Sequence, residues 1–174
     1  VSLIQSNFHG IGSTIGVSDY GFFLHNRGAG FNLIENHPNK ISPLRKPLHT
    51  LSPTIWSNDG KLDMVIGTRG GRYQPQLLSQ FILPLLLKSS SLEEVMNQSR
   101  WTIDYFNENT ESKLIYEPGV EGETIKDLKE KGHKITIKES LQSSFGPISA
   151  ICKDDNGSWF GAADPRVETS KVID

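Results

Sequence analysis

Apolar residues along this chain follow two rhythms that meet at one short turn. Leu62, Met64, Val65 and Ile66 form a compact run that reads as a buried strand. Leu77, Leu78, Phe81, Ile82, Leu85 and Leu86 recur at helical spacing and predict an amphipathic helix from Gln76. Pro75 suits the first turn of that helix, where a missing N–H costs nothing, and Pro84 inside it predicts a kink. Thr68-Arg69-Gly70-Gly71 lies between the two elements.

The remaining elements follow from similar signals. Val1–Gln5 and Gly21–His25 predict strands, with Gly10, Gly12 and Gly16 in a loop between them. Gly28-Ala29-Gly30 breaks the second strand, and Asn36–Pro53, with four prolines, predicts a long irregular connection. Asn58-Asp59-Gly60 joins Ser52–Ser57 to Lys61–Gly67 as a hairpin. Ser91-Leu92-Glu93-Glu94 is a capping box that opens a short helix. Lys113–Glu117, Lys134–Lys138 and Ile148–Lys153 predict strands. Asp154-Asp155-Asn156-Gly157 turns the chain into a last strand, Ser158–Ala163. Thr124–Lys131 predicts a helix with Ile125 and Leu128 inward, stopped by Gly132. Strands at both ends with helices between give an α+β class, a sheet backed by helices, as a single domain over residues 1–174. A chain that opens inside a strand predicts further polypeptide ahead of it.

Composition narrows the function classes. The 174 residues carry a net charge of −2, which gives no basic surface to match a phosphate backbone. No apolar run reaches the length of a membrane-spanning helix. Cys152 is the only cysteine, so neither an internal disulfide nor a cysteine-based metal site is expected. It reads as a small buried residue on a strand, and a lone cysteine suits a cytoplasmic setting. His9, His25, His37 and His133 have no metal-ligand spacing and read as surface or packing residues. Trp56, Trp101 and Trp159 read as core or interface residues.

Chemistry concentrates at the paired glycines. Two glycines between a strand and a helix let backbone N–H groups point outward without side-chain cover. The helix behind them adds partial positive charge. Such a turn can hold an anion or the oxyanion of an acyl-transfer intermediate. The plain alternative is a tight turn with no chemistry.

Several segments, in order, resemble the small C-terminal subunit of the gamma-glutamyltranspeptidase family. They are Gly21–Arg27, Arg45–Thr54, Asn58-Asp59-Gly60, Gly67–Gly71 and Gly161-Ala162-Ala163-Asp164-Pro165-Arg166. The resemblance implies an N-terminal-nucleophile hydrolase fold, a four-layer αββα sandwich of which this chain supplies the small-subunit half. It implies a precursor that cleaves itself, a new N-terminal threonine as nucleophile with its own α-amine as base, and acyl transfer from a γ-glutamyl amide to water or an amino acid. No metal or organic cofactor is implied. The partner implied is the large N-terminal portion of the same precursor. Because Val1 is not threonine, the nucleophile is expected outside this chain. Gly70 and Gly71 fall where the family supplies oxyanion-hole amides, with Thr68 shaping the pocket beside them.

Three departures bear on substrate. Gly30 stands where the family has an aspartate that binds the substrate's α-ammonium, and Arg27 where glutamine or glutamate is usual. Arginine's planar fork suits a carboxylate, so the pocket is expected to favour a carboxylate without a neighbouring ammonium, as in a glutaryl group. The alternative for Arg27 is a structural salt bridge. His49-Thr50 replaces two serines that hold a carboxylate in the family: Thr50 keeps a hydroxyl and His49 offers a ring N–H. The first-strand serine or asparagine of the family falls at Gln5 or Ser6, with Ser6 preferred. Asp164-Pro165 is expected to set a turn and Arg166 to pair with a carboxylate. The competing functions are a non-catalytic relative serving as a binding or structural module and a free-standing binding protein. The last would leave a pairable sheet edge open.

Overall fold

The computed structural model describes residues 1–104 and 112–168, and the backbone divides into two compact units. One spans Ile4–Leu51; the other comprises Val1–Leu3 with the chain from Ser52 onward.

The smaller unit is mostly loop. Its only ladder among the described residues pairs β1 (Gly16–Val17) antiparallel with β2 (Phe22–Phe23). The strand predicted at Gly21–His25 is thus reduced to two residues, and Gly16 lies in a strand rather than a loop. The physical reason is burial: Phe22, Phe23 and Leu24 all stay exposed, so no buried face rewards a longer ladder. Instead the Asn26 side chain accepts from the His9 amide and donates to the His9 and Gly12 carbonyls. Arg27–Gly30 forms a single 3-10 turn. The irregular connection after Asn36 is observed, braced by a bridge between Asn32 and Lys40.

The larger unit holds two sheets. The first has the order β3 (Thr54–Asn58), β4 (Lys61–Thr68), β8 (Ile148–Lys153), β9 (Trp159–Ala162), all antiparallel. The β3–β4 turn places Asp59 at φ 49° and Gly60 at φ 75°, the two positive values that match the twist of a two-residue hairpin. Register puts Trp56, Met64, Cys152 and Phe160 in one cross-strand row and Thr54, Ile66, Ala150 and Ala162 in the next. This face packs against Leu78, Phe81 and Ile82 of α1 (Gln74–Leu86) and Leu92, Val95 and Met96 of α2 (Leu92–Asn97). Helix α1 starts with Pro75 in its first turn and ends just past Pro84. Helix α2 opens on the capping box: the Glu94 amide donates to Ser91 Oγ and the Ser91 amide to the Glu94 carboxylate. The opposite face carries the row Ile55, Val65, Ile151 and Gly161, and there Ile55 is 61% and Ile151 52% exposed.

The second sheet has the order β5 (Trp101–Asp104), β6 (Lys113–Tyr116), β7 (Lys134–Ile137), the last pair parallel and joined through α3 (Gly122–Glu130). Ile125 and Leu128 face its core beside Leu114 and Tyr116. Gly132, at φ 88°, donates to the Lys129 carbonyl and His133 donates to Leu128, a Schellman stop. Strand β5 has no counterpart in the sequence reading. Its free edge is satisfied by a helix: Gln80 bonds both backbone groups of Trp101 and Gln76 both of Ile103. Glutamines one turn apart meet residues two apart on a strand, because both spacings approach 6 Å.

The strand predicted at Val1–Gln5 does not form. Burial alternates along it, with Val1 and Leu3 outward, but no ladder partner exists among the described residues. The Ser2 hydroxyl reaches only the Ile66 carbonyl, at 3.5 Å. Alternation marks which side could be buried; a strand also needs a neighbour's donors and acceptors.

Candidate functional site

Strand β4 delivers the chain to Thr68, which is buried, and α1 carries it away from Gln74. Between them Gly70 adopts φ 124° and Gly71 φ 56°, values that side chains resist. The two carbonyls of this turn are committed. The Thr68 hydroxyl lies 2.8 Å from the Arg69 carbonyl, and the Tyr73 amide donates to the Gly70 carbonyl at 3.0 Å. No peptide bond here is cis, and in a trans peptide the N–H points opposite its own C=O. The Gly70 and Gly71 amides therefore face away from the groups that hold those carbonyls. Neither amide donates a hydrogen bond among the described residues, and a Cβ built on Gly71 would meet nothing within 4 Å. The strand-to-helix turn thus leaves two backbone donors without a partner among the described residues at the N-terminal side of a helix, with open space beside Gly71 and with Leu77 and Gly146 close beside Gly70.

The turn rests on a third glycine. Gly146 closes a 3-10 turn (Ser143–Phe145) at φ 56°. A Cβ there would sit 2.1 Å from the Arg69 carbonyl oxygen and 2.4 Å from Thr68 Oγ1. The Thr68 hydroxyl shares its proton with the Gly146 carbonyl, at 3.0 Å. The same carbonyl accepts from Arg100 Nη1 at 2.7 Å.

Arg100 belongs to a buried, net-neutral cluster with Asp164, Arg166 and Glu117. Arg100 Nη2 donates to Asp164 Oδ2 at 2.7 Å. Arg166 pairs with both oxygens of Glu117 through Nε and Nη2, and its other N–H groups reach Asp164 and the carbonyls of Met96 and Gln98. Glu117, fully buried, also accepts the Arg100 and Gln142 amides. The Asp164 carboxylate further accepts the Ile148 and Arg166 amides, the latter closing the turn set by Pro165. Burial alone would raise the Asp164 pKa; the Arg100 charge and these N–H groups outweigh it and hold it below the usual value. Burial, with Arg166 beside it, lowers the Arg100 pKa, against the pull of Asp164 and Glu117. The cluster links α2's end, both sheets and the loop of Gly146 into one hydrogen-bonded floor. Arg166 pairs with a carboxylate, as the sequence predicts.

The remaining predicted residues lie in the smaller unit. Arg27 is 9% exposed, and its Nη1 donates to the buried Thr50 hydroxyl at 3.3 Å. Its guanidinium carbon stands 4.7 Å from the centre of the Phe8 ring. Ser6 Oγ accepts the Phe8 amide at 2.9 Å. His49, next to Thr50, is solvent-exposed. Ser6, Arg27 and Thr50 thus converge on one place, while Thr68 lies with Gly70 and Gly71 in the larger unit. Among the described residues no group of three histidine, cysteine, aspartate or glutamate side chains is placed to hold a metal ion. No described helix is long and apolar enough to cross a membrane.

Comparison with known proteins identifies the family. The family model for gamma-glutamyltranspeptidase matches residues 1–173. This chain belongs to the gamma-glutamyltranspeptidase family. It is 33% identical to a glutathione hydrolase-like YwrD proenzyme of Bacillus subtilis over 99% of this chain and 33% of that protein. It is 34% identical to an oxamate amidohydrolase proenzyme of Klebsiella pneumoniae over 95% of this chain and 31% of that one. The chain therefore spans about a third of the length of these curated relatives. Among solved structures, a cephalosporin acylase from Bacillus halodurans superposes with a TM-score of 0.82 at 28% identity, covering 95% of this chain and 30% of that one. A gamma-glutamyltranspeptidase from Helicobacter pylori gives 0.79 at 23% identity over 96% and 93%. The fold is the N-terminal-nucleophile hydrolase fold of this family, in the α+β class.

Sequence reasoning about this family member misses Arg100, Glu117 and Gly146 behind the paired-glycine turn of the larger unit and, within the smaller unit, Phe8 beside Arg27. Gly146-Pro147 is a turn signal that could have been read. The others carry no local signal, because their partners lie far along the chain.

Proposed function

We propose that this chain is the small-subunit portion of an N-terminal-nucleophile amidohydrolase or acyltransferase that cleaves γ-glutamyl or glutaryl-type amides through a threonine acyl-enzyme. The observation that carries this reading is the pair of amides at Gly70 and Gly71 that have no partner among the described residues. When an alkoxide attacks an amide carbonyl, negative charge gathers on the carbonyl oxygen. Two preorganised N–H donors lower that barrier most, because they need not reorient as the charge forms. Thr68 acts by fixing the Arg69 carbonyl, and through it the direction of the Gly70 amide. The threonine and its α-amine come from the parent polypeptide, as does the large subunit. The bare sheet face of Ile55, Val65, Ile151 and Gly161 supports such a partner, since an apolar sheet face in this fold packs against a second sheet. Arg27, Thr50, His49 and Ser6, in the smaller unit, are assigned to binding the acyl group. The names of the relatives, a glutathione hydrolase-like proenzyme and an oxamate amidohydrolase proenzyme, support amide cleavage after precursor processing.

The test uses the full-length protein with γ-glutamyl and glutaryl p-nitroanilides. Release of nitroaniline is expected, and Gly71→Pro, which deletes one donor, should lower kcat by about 10²–10³-fold. Absence of release from both substrates by processed protein would refute the assignment.

A further inference from the structure

Within the larger unit, two carbonyls compete for one hydroxyl proton. Thr68 and Arg100 are each 3% exposed and belong to the same compact unit. The Thr68 hydroxyl stands 2.8 Å from the Arg69 carbonyl and 3.0 Å from the Gly146 carbonyl. A hydroxyl has a single proton to give. Arg100 Nη1 also donates to the Gly146 carbonyl, at 2.7 Å, and to the Phe145 carbonyl, at 3.2 Å. Gly146 thus receives a short, charge-assisted bond. A carbonyl already drawn on by a cation is a poorer acceptor for a second donor, because both pull on the same electron density.

The outcome of that competition reaches an amide. The Arg69 carbonyl and the Gly70 N–H share one planar trans peptide, so whatever holds the carbonyl aims the N–H. With Arg100 on Gly146, the Thr68 proton is left to Arg69. Without that cation, the buried Gly146 carbonyl would lack a donor, and taking the Thr68 proton avoids that penalty. The Arg69 carbonyl would then lose its holder, and Gly70, without a Cβ, turns easily. Arg100 is itself firmly placed. Its Nη2 donates to Asp164 at 2.7 Å, and its amide to Glu117 at 2.8 Å.

Resting on the function proposed above, we infer that Arg100 is a positioning residue for the reaction: by occupying the Gly146 carbonyl, its guanidinium directs the Thr68 proton to Arg69 and so aims the Gly70 N–H at the substrate's carbonyl oxygen. Arg100 touches no reacting atom and gives up no proton; it acts through Gly146 and Thr68. The substrate oxygen becomes anionic only as the acyl carbon is attacked, so the effect belongs to the transition state and falls on kcat rather than KM. An arginine that merely held the buried cluster together would change stability, but its effect on rate would not depend on the Thr68 hydroxyl.

The test is a double-mutant cycle in the full-length protein. Arg100→Lys keeps the charge for Asp164, but one ammonium cannot span the carboxylate and the Gly146 carbonyl as the planar fork does. Anilide kcat and KM are measured per processed molecule, counted by intact mass. Arg100→Lys and Thr68→Val should each lower kcat about tenfold to a hundredfold, less than the loss of a whole donor, with KM little changed. Thr68→Ser, which keeps the hydroxyl, should recover kcat. In the Thr68→Val background Arg100→Lys should lower kcat no further, because the proton it directs is gone. An equal Arg100→Lys loss in both backgrounds would overturn the proposal. A second readout works whether or not a variant is processed. Carbonyl-¹³C arginine with ¹⁵N-glycine labelling selects the Gly70 amide signal, identified by its loss in Gly70→Ala. That signal should move in Arg100→Lys and in Thr68→Val; an unmoved signal in folded Arg100→Lys would equally overturn the proposal. Should wild type cleave no anilide, the reaction assignment fails, while the Gly70 signal still decides whether Arg100 aims the amide.

Discussion

Replacing Gly146 by alanine tests whether the floor beneath the paired-glycine turn sets its geometry. The new Cβ would lie 2.1 Å from the Arg69 carbonyl oxygen, 2.4 Å from Thr68 Oγ1 and 2.8 Å from Leu77 Cδ1. Unstrained carbon contacts need about 3.5 Å, so one side must retreat on the order of 1 Å. Two of the three obstacles are a backbone atom and a buried, doubly bonded hydroxyl, neither free to swing aside. The φ of 56° at this position adds strain of its own. Left-handed strain of about 1–2 kcal/mol and overpacking of about 1–3 kcal/mol together predict a loss of roughly 2–5 kcal/mol in stability. Displacing the Arg69 carbonyl also rotates the Gly70 amide, since they share a peptide plane. A 1 Å error at a reacting centre costs about 10²-fold in rate. The assay is kcat/KM for a glutaryl or γ-glutamyl anilide in full-length protein, beside urea midpoints. Gly132→Ala is the control: φ is 88° there, but no atom lies within 4 Å of the new Cβ. It should lose only the strain and keep its activity. Wild-type stability and rate in Gly146→Ala would refute the coupling between floor and turn.

Asp164→Asn should destabilise the full-length protein by about 3–5 kcal/mol at neutral pH, because it leaves Arg100 buried with a lost charge partner; urea unfolding would show it. The Asp164 pKa is lower in the folded than in the unfolded chain. Its stabilisation is therefore complete above the unfolded value of about 4 and is lost as pH falls through the lowered one, a dependence the asparagine variant should lack. Gly30→Asp should fold, since its Cβ would meet nothing closer than 3.5 Å. Its carboxylate, three residues beyond Arg27 on the same turn, should pair with that arginine and shift anilide preference from glutaryl towards γ-glutamyl; unaltered preference would count against assigning Arg27 to the acyl group. Burial, with the charge of Asp63, pushes the Cys152 thiol up to about 11. Iodoacetamide at pH 8 should therefore label it only in denaturant, as peptide mapping would reveal.

Local signals fixed much of this molecule. The capping box at Ser91, the Asp59-Gly60 hairpin and the Gly132 stop each depend on residues within a few positions, and each appears where the sequence places it. The helical stripe from Leu77 to Ile82 and the strand at Ile148–Lys153 were legible for the same reason: periodicity records which side is buried. Family membership was legible because several short segments recur in order. The turn at Gly70-Gly71 was visible as a candidate, but nothing local said which way its amides face. That was decided by Thr68 and Tyr73 committing the two carbonyls. Strand β5 escaped notice because glutamines of α1 complete its edge. Val1–Gln5 shows the reverse, an alternating pattern without a ladder. In the buried cluster Arg100 meets Glu117 17 positions away and Asp164 64 positions away, and Arg166 meets Glu117 49 positions away, and Phe8 meets Arg27 only through a strained loop. Charges and rings far apart in the chain carry no mark of their partners; only the folded backbone sets their distances, and with them the direction of every donor in the site.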